Sequence, residues 1–288
     1  MPDEVPRPAD EPVNSGDGER RIGEAIARAK AERRPAIAAF LTAGFPTRER
    51  FASLLSAAAA EADLVEVGVP FSDPMADGLT IQRSSRVALE NGTTLPWILE
   101  TIGEATRAGA GAGSDTPPGP TRRSPVLLMS YLNPILAHGF GAFASDGAGA
   151  GIAGLIVPDL PLEESHRLRA VLDGSGIALV QLVTPATPPG RLERVCEASR
   201  GFVYAVTMKG TTGARVDAAA AAEYLARVRR VSPVPVLAGF GVRSATDVAG
   251  LAGFADGVIV GSALVEAIER GVDPGMFVRE LRGEEMAS

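Results

Sequence analysis

Three carboxylates crowd one stretch of the chain. Glu66 interrupts the apolar run Leu64–Val69, and Asp73 and Asp77 follow in a segment punctuated by Pro70, Pro74 and Gly78. Such a run predicts a parallel strand buried on both faces. An acid inside it costs several kcal/mol unless it is neutralised or put to use. The use open to a carboxylate there is proton transfer or charge stabilisation, and acids with displaced proton affinity cluster at functional sites. Asp73 precedes Pro74 and is also a good turn former, so the ordinary loop reading competes at that position. The segment is predicted to be an ordered loop, with one acid in a strand and two just past its C-terminal end.

A second chemical signal comes late in the chain. Gly239-Phe240-Gly241 and Gly261-Ser262 each follow a short apolar run, and the second opens a helix. Glycines let backbone N–H groups approach an anion, and a helix N-terminus adds a favourable dipole. Arg243 is the nearest basic residue, so a phosphate there is expected to rest mostly on backbone. Either glycine pair alone would be an ordinary tight turn. Lys209 suggests a different chemistry, a Schiff base, because it follows the sixth predicted strand. It lies in a glycine-flanked loop, however, where an ammonium stays hydrated and its pKa stays high.

The elements that must position these groups alternate regularly. Apolar spacing at Ile22, Ala25, Ile26 and Ala29 predicts a helix over 20–34. Strands are predicted at 36–41, 64–69, 126–129, 152–157, 177–183, 202–206, 234–237 and 257–260. Helices are predicted between them, with an additional one at 80–90 and two at the end, about 263–270 and 274–281. Strict alternation argues for a parallel sheet. Eight units in 288 residues argue for a closed (β/α)8 TIM barrel with an extra N-terminal helix, chemistry sitting at the C-terminal strand ends and phosphate at the last two loops. Residues 1–18, acidic and proline-rich, are expected to be a disordered tail, and 19–288 a single barrel domain. The Gly- and Pro-rich segment 109–124 reads as a flexible connection on the face away from the site.

Composition narrows the classes further. A net charge of −7 argues against a nucleic-acid partner, which usually needs a basic stripe. The single cysteine, Cys196, excludes an internal disulfide framework and suits a reducing cytoplasm. The two histidines, His138 and His166, have no metal-ligand spacing, so no metal is expected. No run approaches the ~20 apolar residues of a membrane span, and the N-terminus lacks the basic start and apolar run of a signal peptide. A cytoplasmic protein is expected.

Over about residues 20–271 the chain resembles the tryptophan synthase α subunit family. The resemblance is carried by Glu66-Val67-Gly68-Val69-Pro70-Phe71-Ser72-Asp73-Pro74-Met75-Ala76-Asp77-Gly78 with Thr80-Ile81-Gln82. Met129-Ser130-Tyr131-Leu132-Asn133-Pro134, Pro158-Asp159-Leu160-Pro161, Gly239-Phe240-Gly241-Val242 and Gly261-Ser262-Ala263 add to it. The resemblance implies retro-aldol cleavage of indole-3-glycerol phosphate to indole and glyceraldehyde 3-phosphate. It implies Glu66 as the general acid/base and Asp77 as the carboxylate at the indole nitrogen. It places Tyr204 beside the substrate, Thr212 and Gly213 on a closing loop, and Gly213, Gly241, Gly261 and Ser262 in a phosphate cradle. Phe40, Met129, Tyr131 and Phe240 are expected to line the slot for indole, and Asp73 to face the partner. That partner is a β subunit carrying pyridoxal phosphate, in an α2β2 assembly; no cofactor is expected in this chain. Two alternatives stay open on these residues: a free-standing indole lyase, and a non-catalytic activator of a β subunit. The chain departs from the family pattern at Leu79, where proline is usual, at Lys209 and Thr211, and in the length of 109–124.

Overall fold

Helix α1 (Asp17–Ala31) begins three residues before the predicted start, with Asp17 and Glu19 in its first turn and Arg28 and Lys30 in its last, each sign placed to oppose the helix dipole. The structure, a computed structural model, describes residues 16–111, 124–207, 218–239 and 241–284. After α1 come β1 (Ala36–Thr42), α2 (Arg48–Glu61), β2 (Leu64–Gly68), α3 (Leu79–Glu90), α4 (Leu95–Gly111), β3 (Val126–Met129), α5 (Leu132–His138), α6 (Phe140–Gly149) and β4 (Ile152–Ile156). The chain continues with a 3-10 turn (Leu162–Glu164), α7 (His166–Gly174), β5 (Ala178–Val183), α8 (Pro189–Ala198), β6 (Val203–Val206), α9 (Ala218–Val231), β7 (Val236–Gly239), α10 (Ala245–Leu251), β8 (Gly257–Val260), α11 (Ser262–Glu269) and α12 (Pro274–Leu281).

The eight strands pair in sequence order, and β8 closes on β1, giving a parallel barrel. This is the (β/α)8 architecture expected. All residues of β1 and β2 are buried, as they must be when a sheet is filled inside and covered by helices outside. The register sets Phe40 level with Glu66 and Glu66 level with Leu127. One layer up it sets Thr42 level with Gly68 and Gly68 level with Met129.

Helix α1 packs across the N-terminal ends of the strands. Ile22 lies against Gly154 at β4 and Gly201 before β6, and the backbone of Gly18 comes so close that a Cβ there would sit 1.9 Å from the Ala153 carbonyl oxygen. The same end is fastened by Asp63, whose side chain is fully buried. Arg34 donates to both its oxygens at 2.6 and 2.9 Å, the Ile37 amide donates at 2.9 Å, and Arg282 from beyond α12 lies 3.9 Å away. Arg279 of α12 also pairs with Glu61. The opposite end of the barrel is left for the site.

Three boundaries differ from expectation for identifiable reasons. α4 runs on to Gly111, past the expected break at Gly109; residues 112–123 lie outside the described residues, as do residues 1–15 of the expected tail. α5 is a second helix between β3 and β4, with Pro134 in its first turn. Proline is accommodated in a first helical turn, where its missing N–H has no partner to lose. β7 continues through Gly239 rather than stopping at Leu237. Among the described residues no helix is long and apolar enough to cross a membrane.

Candidate active site

Glu66 sits within β2 at 2% exposure, and its Oε1 has no hydrogen-bond partner. A buried carboxylate without donors is disfavoured in its charged form. Burial first, and the nearby Asp77 second, push its pKa up from the usual carboxylate range to about 8. A native barrel retains such a group only where the unmet bonding capacity is used.

Asp77, near enough for its charge to act on Glu66, comes from the loop between β2 and α3 and lines the adjoining cleft. Burial raises its pKa to about 6, against the opposing pull of a hydrogen bond from the Tyr131 hydroxyl. That hydroxyl in turn accepts the Ala76 amide at 2.9 Å, and the Tyr131 ring stacks on Phe71 at 4.9 Å between centroids. Both ends of the acidic loop therefore lean on one tyrosine. Tyr131 is itself placed by the following turn, because Asp159 at the end of β4 accepts the Leu132 amide at 2.9 Å and anchors the start of α5. On the other side, Gln82 donates to the Asp77 carbonyl at 2.8 Å.

The cleft is lined by Phe40, Gly68, Val69, Asp77, Ile81, Ser85, Met129, Ser130 and Tyr131. The structure thus brings together the expected Phe40, Met129, Tyr131 and Asp77. Tyr204 on β6 is buried; burial, then the charges of Glu66 and Asp77, hold its hydroxyl well above the ordinary tyrosine pKa, so it stays neutral beside the two acids. Ile81 and Ser85 were not expected. They lie one turn apart on α3, and their i, i+4 spacing is the sequence signal that one helix face looks into the site. A buried hydroxyl pair, Thr42 with Ser84 at 2.7 Å, pins that helix to β1.

Two glycines make room for the aromatic lining. A Cβ at Gly68 would fall 2.5 Å from the Phe40 ring, and one at Gly239 would fall 2.3 Å from the Tyr204 ring. Gly239 is therefore a seat for Tyr204 within β7, and not one of the turn residues it resembles in sequence. Gly241 does have a turn conformation, with φ of 88°. Gly261 caps α11 and Ser262 is its first residue, so the amides of that first turn face the C-terminal end of the barrel. Phe240, Thr212 and Gly213 lie outside the described residues, as do Lys209 and Thr211. Asp73 stays out of the cleft: it is exposed and accepts the Ser72 hydroxyl at 2.5 Å. Among the described residues no three His, Cys, Asp or Glu side chains converge to hold a metal ion.

Two acids with separated proton affinities give one site both a donor and an anion near neutral pH. That is the arrangement by which paired carboxylates divide acid and base roles. The comparisons with known proteins point to one family. A model of the tryptophan synthase alpha chain family matches residues 26–282. The chain belongs to that family. The tryptophan synthase alpha chain of Nitratidesulfovibrio vulgaris is 45% identical over 263 residues, covering 91% of this chain and 96% of the relative. That of Xanthomonas oryzae pv. oryzae is 43% identical over 257 residues, covering 88% and 91%. Among solved structures, a Mycobacterium tuberculosis tryptophan synthase chain superposes with a TM-score of 0.81 at 38% identity, covering 92% of this chain and 97% of that one. Membership in the tryptophan synthase alpha chain family makes the chain a lyase of tryptophan biosynthesis.

Proposed function

We propose that this chain cleaves indole-3-glycerol phosphate to indole and glyceraldehyde 3-phosphate, with Glu66 as proton donor and acceptor and Asp77 as the stabilising anion. The observation that carries the reading is the buried carboxyl of Glu66 on β2, whose Oε1 has no hydrogen-bond partner, with the more acidic Asp77 nearby. Indole is a poor leaving group until its C3 is protonated. Near neutral pH the Glu66 carboxyl holds the proton that C3 takes. The ring becomes a cationic indolenine, and the ionised Asp77 at its N–H lowers the energy of that charge. The Glu66 carboxylate then accepts the proton of the side-chain hydroxyl on the carbon attached to C3. As that proton leaves, the C–C bond breaks, its electrons neutralise the ring to give indole, and the carbinol carbon becomes the aldehyde. Glu66 ends as it began.

Phe40, Met129 and Tyr131 form the slot for the indole plane, with Tyr204, Thr212 and Phe240 assigned to the same substrate. Gly241, Gly261 and Ser262, with Gly213, are assigned to the phosphate. A single barrel domain completes the reading, with α1 starting at Asp17, inside the expected 1–18 tail. Asp73 is assigned to the face that meets a β subunit in an α2β2 assembly. Met75 on the same loop and Leu79 at the start of α3 are 89% and 70% exposed, an apolar surface of the kind partners cover. The pyridoxal phosphate chemistry of the pathway belongs to that partner, and no step is assigned to a cofactor in this chain.

The test is indole release from indole-3-glycerol phosphate by the purified chain and by Glu66→Gln, each with and without a tryptophan synthase β subunit. Slow release that rises sharply with the partner and vanishes in Glu66→Gln supports the reading. Full activity in Glu66→Gln removes Glu66 from the mechanism, and fast release that ignores the partner favours a free-standing lyase.

A further inference from the structure

The contact that joins the acidic loop to the glycine turns is made by a side chain on α11 that lies outside every motif considered above. Glu266, in the second turn of α11, accepts the Thr80 hydroxyl at 3.0 Å through one carboxylate oxygen. Its other oxygen pairs with the Arg243 guanidinium at 2.5 Å. Thr80 is the second residue of α3, three residues beyond Asp77. Arg243 stands two residues beyond Gly241. Glu266 itself stands four residues beyond Ser262, on the helix that Gly261 caps. One side chain therefore touches the acidic loop's helix and the loop after β7 from the helix after β8. One turn further along the same pair of helices, Arg83 and Glu269 pair at 2.5 Å, so α3 and α11 are laced twice in register. The Glu266 side chain is 26% exposed. Burial raises its pKa, but the Arg243 and Thr80 hydrogen bonds outweigh burial and keep it below the ordinary carboxylate value. Arg243, the one basic side chain expected near the glycine turns, is engaged by Glu266.

We propose that Glu266 is a positioning residue that fixes the distance between the Asp77 loop and the two glycine turns after β7 and β8. It touches no substrate atom. Its effect falls on a ligand that must reach both ends at once. A substrate with an indole ring at one end and a phosphate at the other binds as two linked fragments, and the second fragment gains from the first only if the two subsites keep a fixed span. A brace between them preserves near-attack geometry at the reacting carbon. Leu79 makes such a brace useful, because without proline the start of α3 has a freer backbone. The proposal rests on the indole-3-glycerol phosphate reading.

The test compares whole substrate with fragments in wild type, Glu266→Ala, Thr80→Val and the double variant. In Glu266→Ala, kcat/KM for indole-3-glycerol phosphate is expected to fall about tenfold. The dissociation constants of indole alone and of glycerol 3-phosphate alone are expected to stay within about twofold of wild type. Thr80→Val is expected to cost nothing further once Glu266 is gone, because contacting residues in one network do not add. The brace is overturned if kcat/KM is unchanged, if both fragments weaken in parallel with it, or if the two substitutions are additive. If the wild-type chain neither cleaves the substrate nor binds either fragment, the functional reading itself fails, and the brace fails with it.

Discussion

The chemistry reduces to one carboxyl group kept protonated where water cannot reach it. Because burial raises Glu66 from 4.5 to about 8, the folded chain holds that proton more tightly than the unfolded chain does. Its contribution to stability is fully present below about pH 4.5 and is lost as pH rises towards 8, after which it changes no more. The full loss is on the order of 5 kcal/mol by the 1.36 kcal/mol attached to each pKa unit. Glu66→Gln removes this dependence, so equilibrium urea unfolding from pH 4 to 9 is expected to show the variant gaining on wild type between pH 4.5 and 8. Parallel curves would contradict the burial argument. Asp77, raised to about 6, must be ionised to act, whereas Glu66 must be protonated. The kcat/KM of wild type is therefore expected to be bell-shaped, with an acid limb near 6 and a basic limb near 8. Asp77→Asn is expected to lose at least a hundredfold in kcat/KM and to lose the acid limb. A surviving limb near 6 would assign it to another group.

The strands do more than carry these acids, since two of them are cut away to seat the aromatic rings. At Gly239 a methyl group would meet the buried Tyr204 ring at 2.3 Å, and a ring held in a packed barrel cannot move without displacing its neighbours. Gly239→Ala is expected to destabilise the fold by roughly 1–3 kcal/mol of overpacking and to lower kcat/KM at least tenfold. Adding Tyr204→Leu is expected to restore stability without activity. If the double variant is no more stable than Gly239→Ala, the crowding lies elsewhere. This pair also marks what the sequence could reveal. Glu66 stood out because a charge in an apolar run is costly, and the strand centres stood out because barrel strands are apolar on both faces. Gly239 was misassigned to a turn, since glycine looks the same whether it supplies a positive φ or an absent side chain. Glu266 gave no local signal, and Thr80 stood only as part of a motif; their meeting spans 186 residues and exists only once β8 has closed on β1.

The barrel divides its labour between its two ends. The C-terminal end carries the acids, the slot and the glycine turns. The N-terminal end carries α1 and the buried Asp63, which binds Arg34 before β1, the amide of Ile37 and Arg282 after α12. Asp63 thus ties the first strand and the last helix to the turn that opens β2, at the seam where a closed barrel must hold its own ends together. Removing one partner of such a buried network leaves uncompensated charge, which costs roughly 3–5 kcal/mol. Because the seam lies at the end of β2 opposite the cleft, the loss should appear in stability and not in chemistry. Asp63→Ala is expected to lower the unfolding free energy by that amount while kcat, measured well below the unfolding midpoint, stays within about twofold of wild type. Asp63→Asn, which keeps an acceptor for Ile37 and one guanidinium N–H, is expected to lose less. A drop in kcat that matched the drop in stability would mean that the seam and the cleft are mechanically one unit. A drop in stability alone would show that the two ends of β2 are separable, with Glu66 held by its own strand and its neighbours in register.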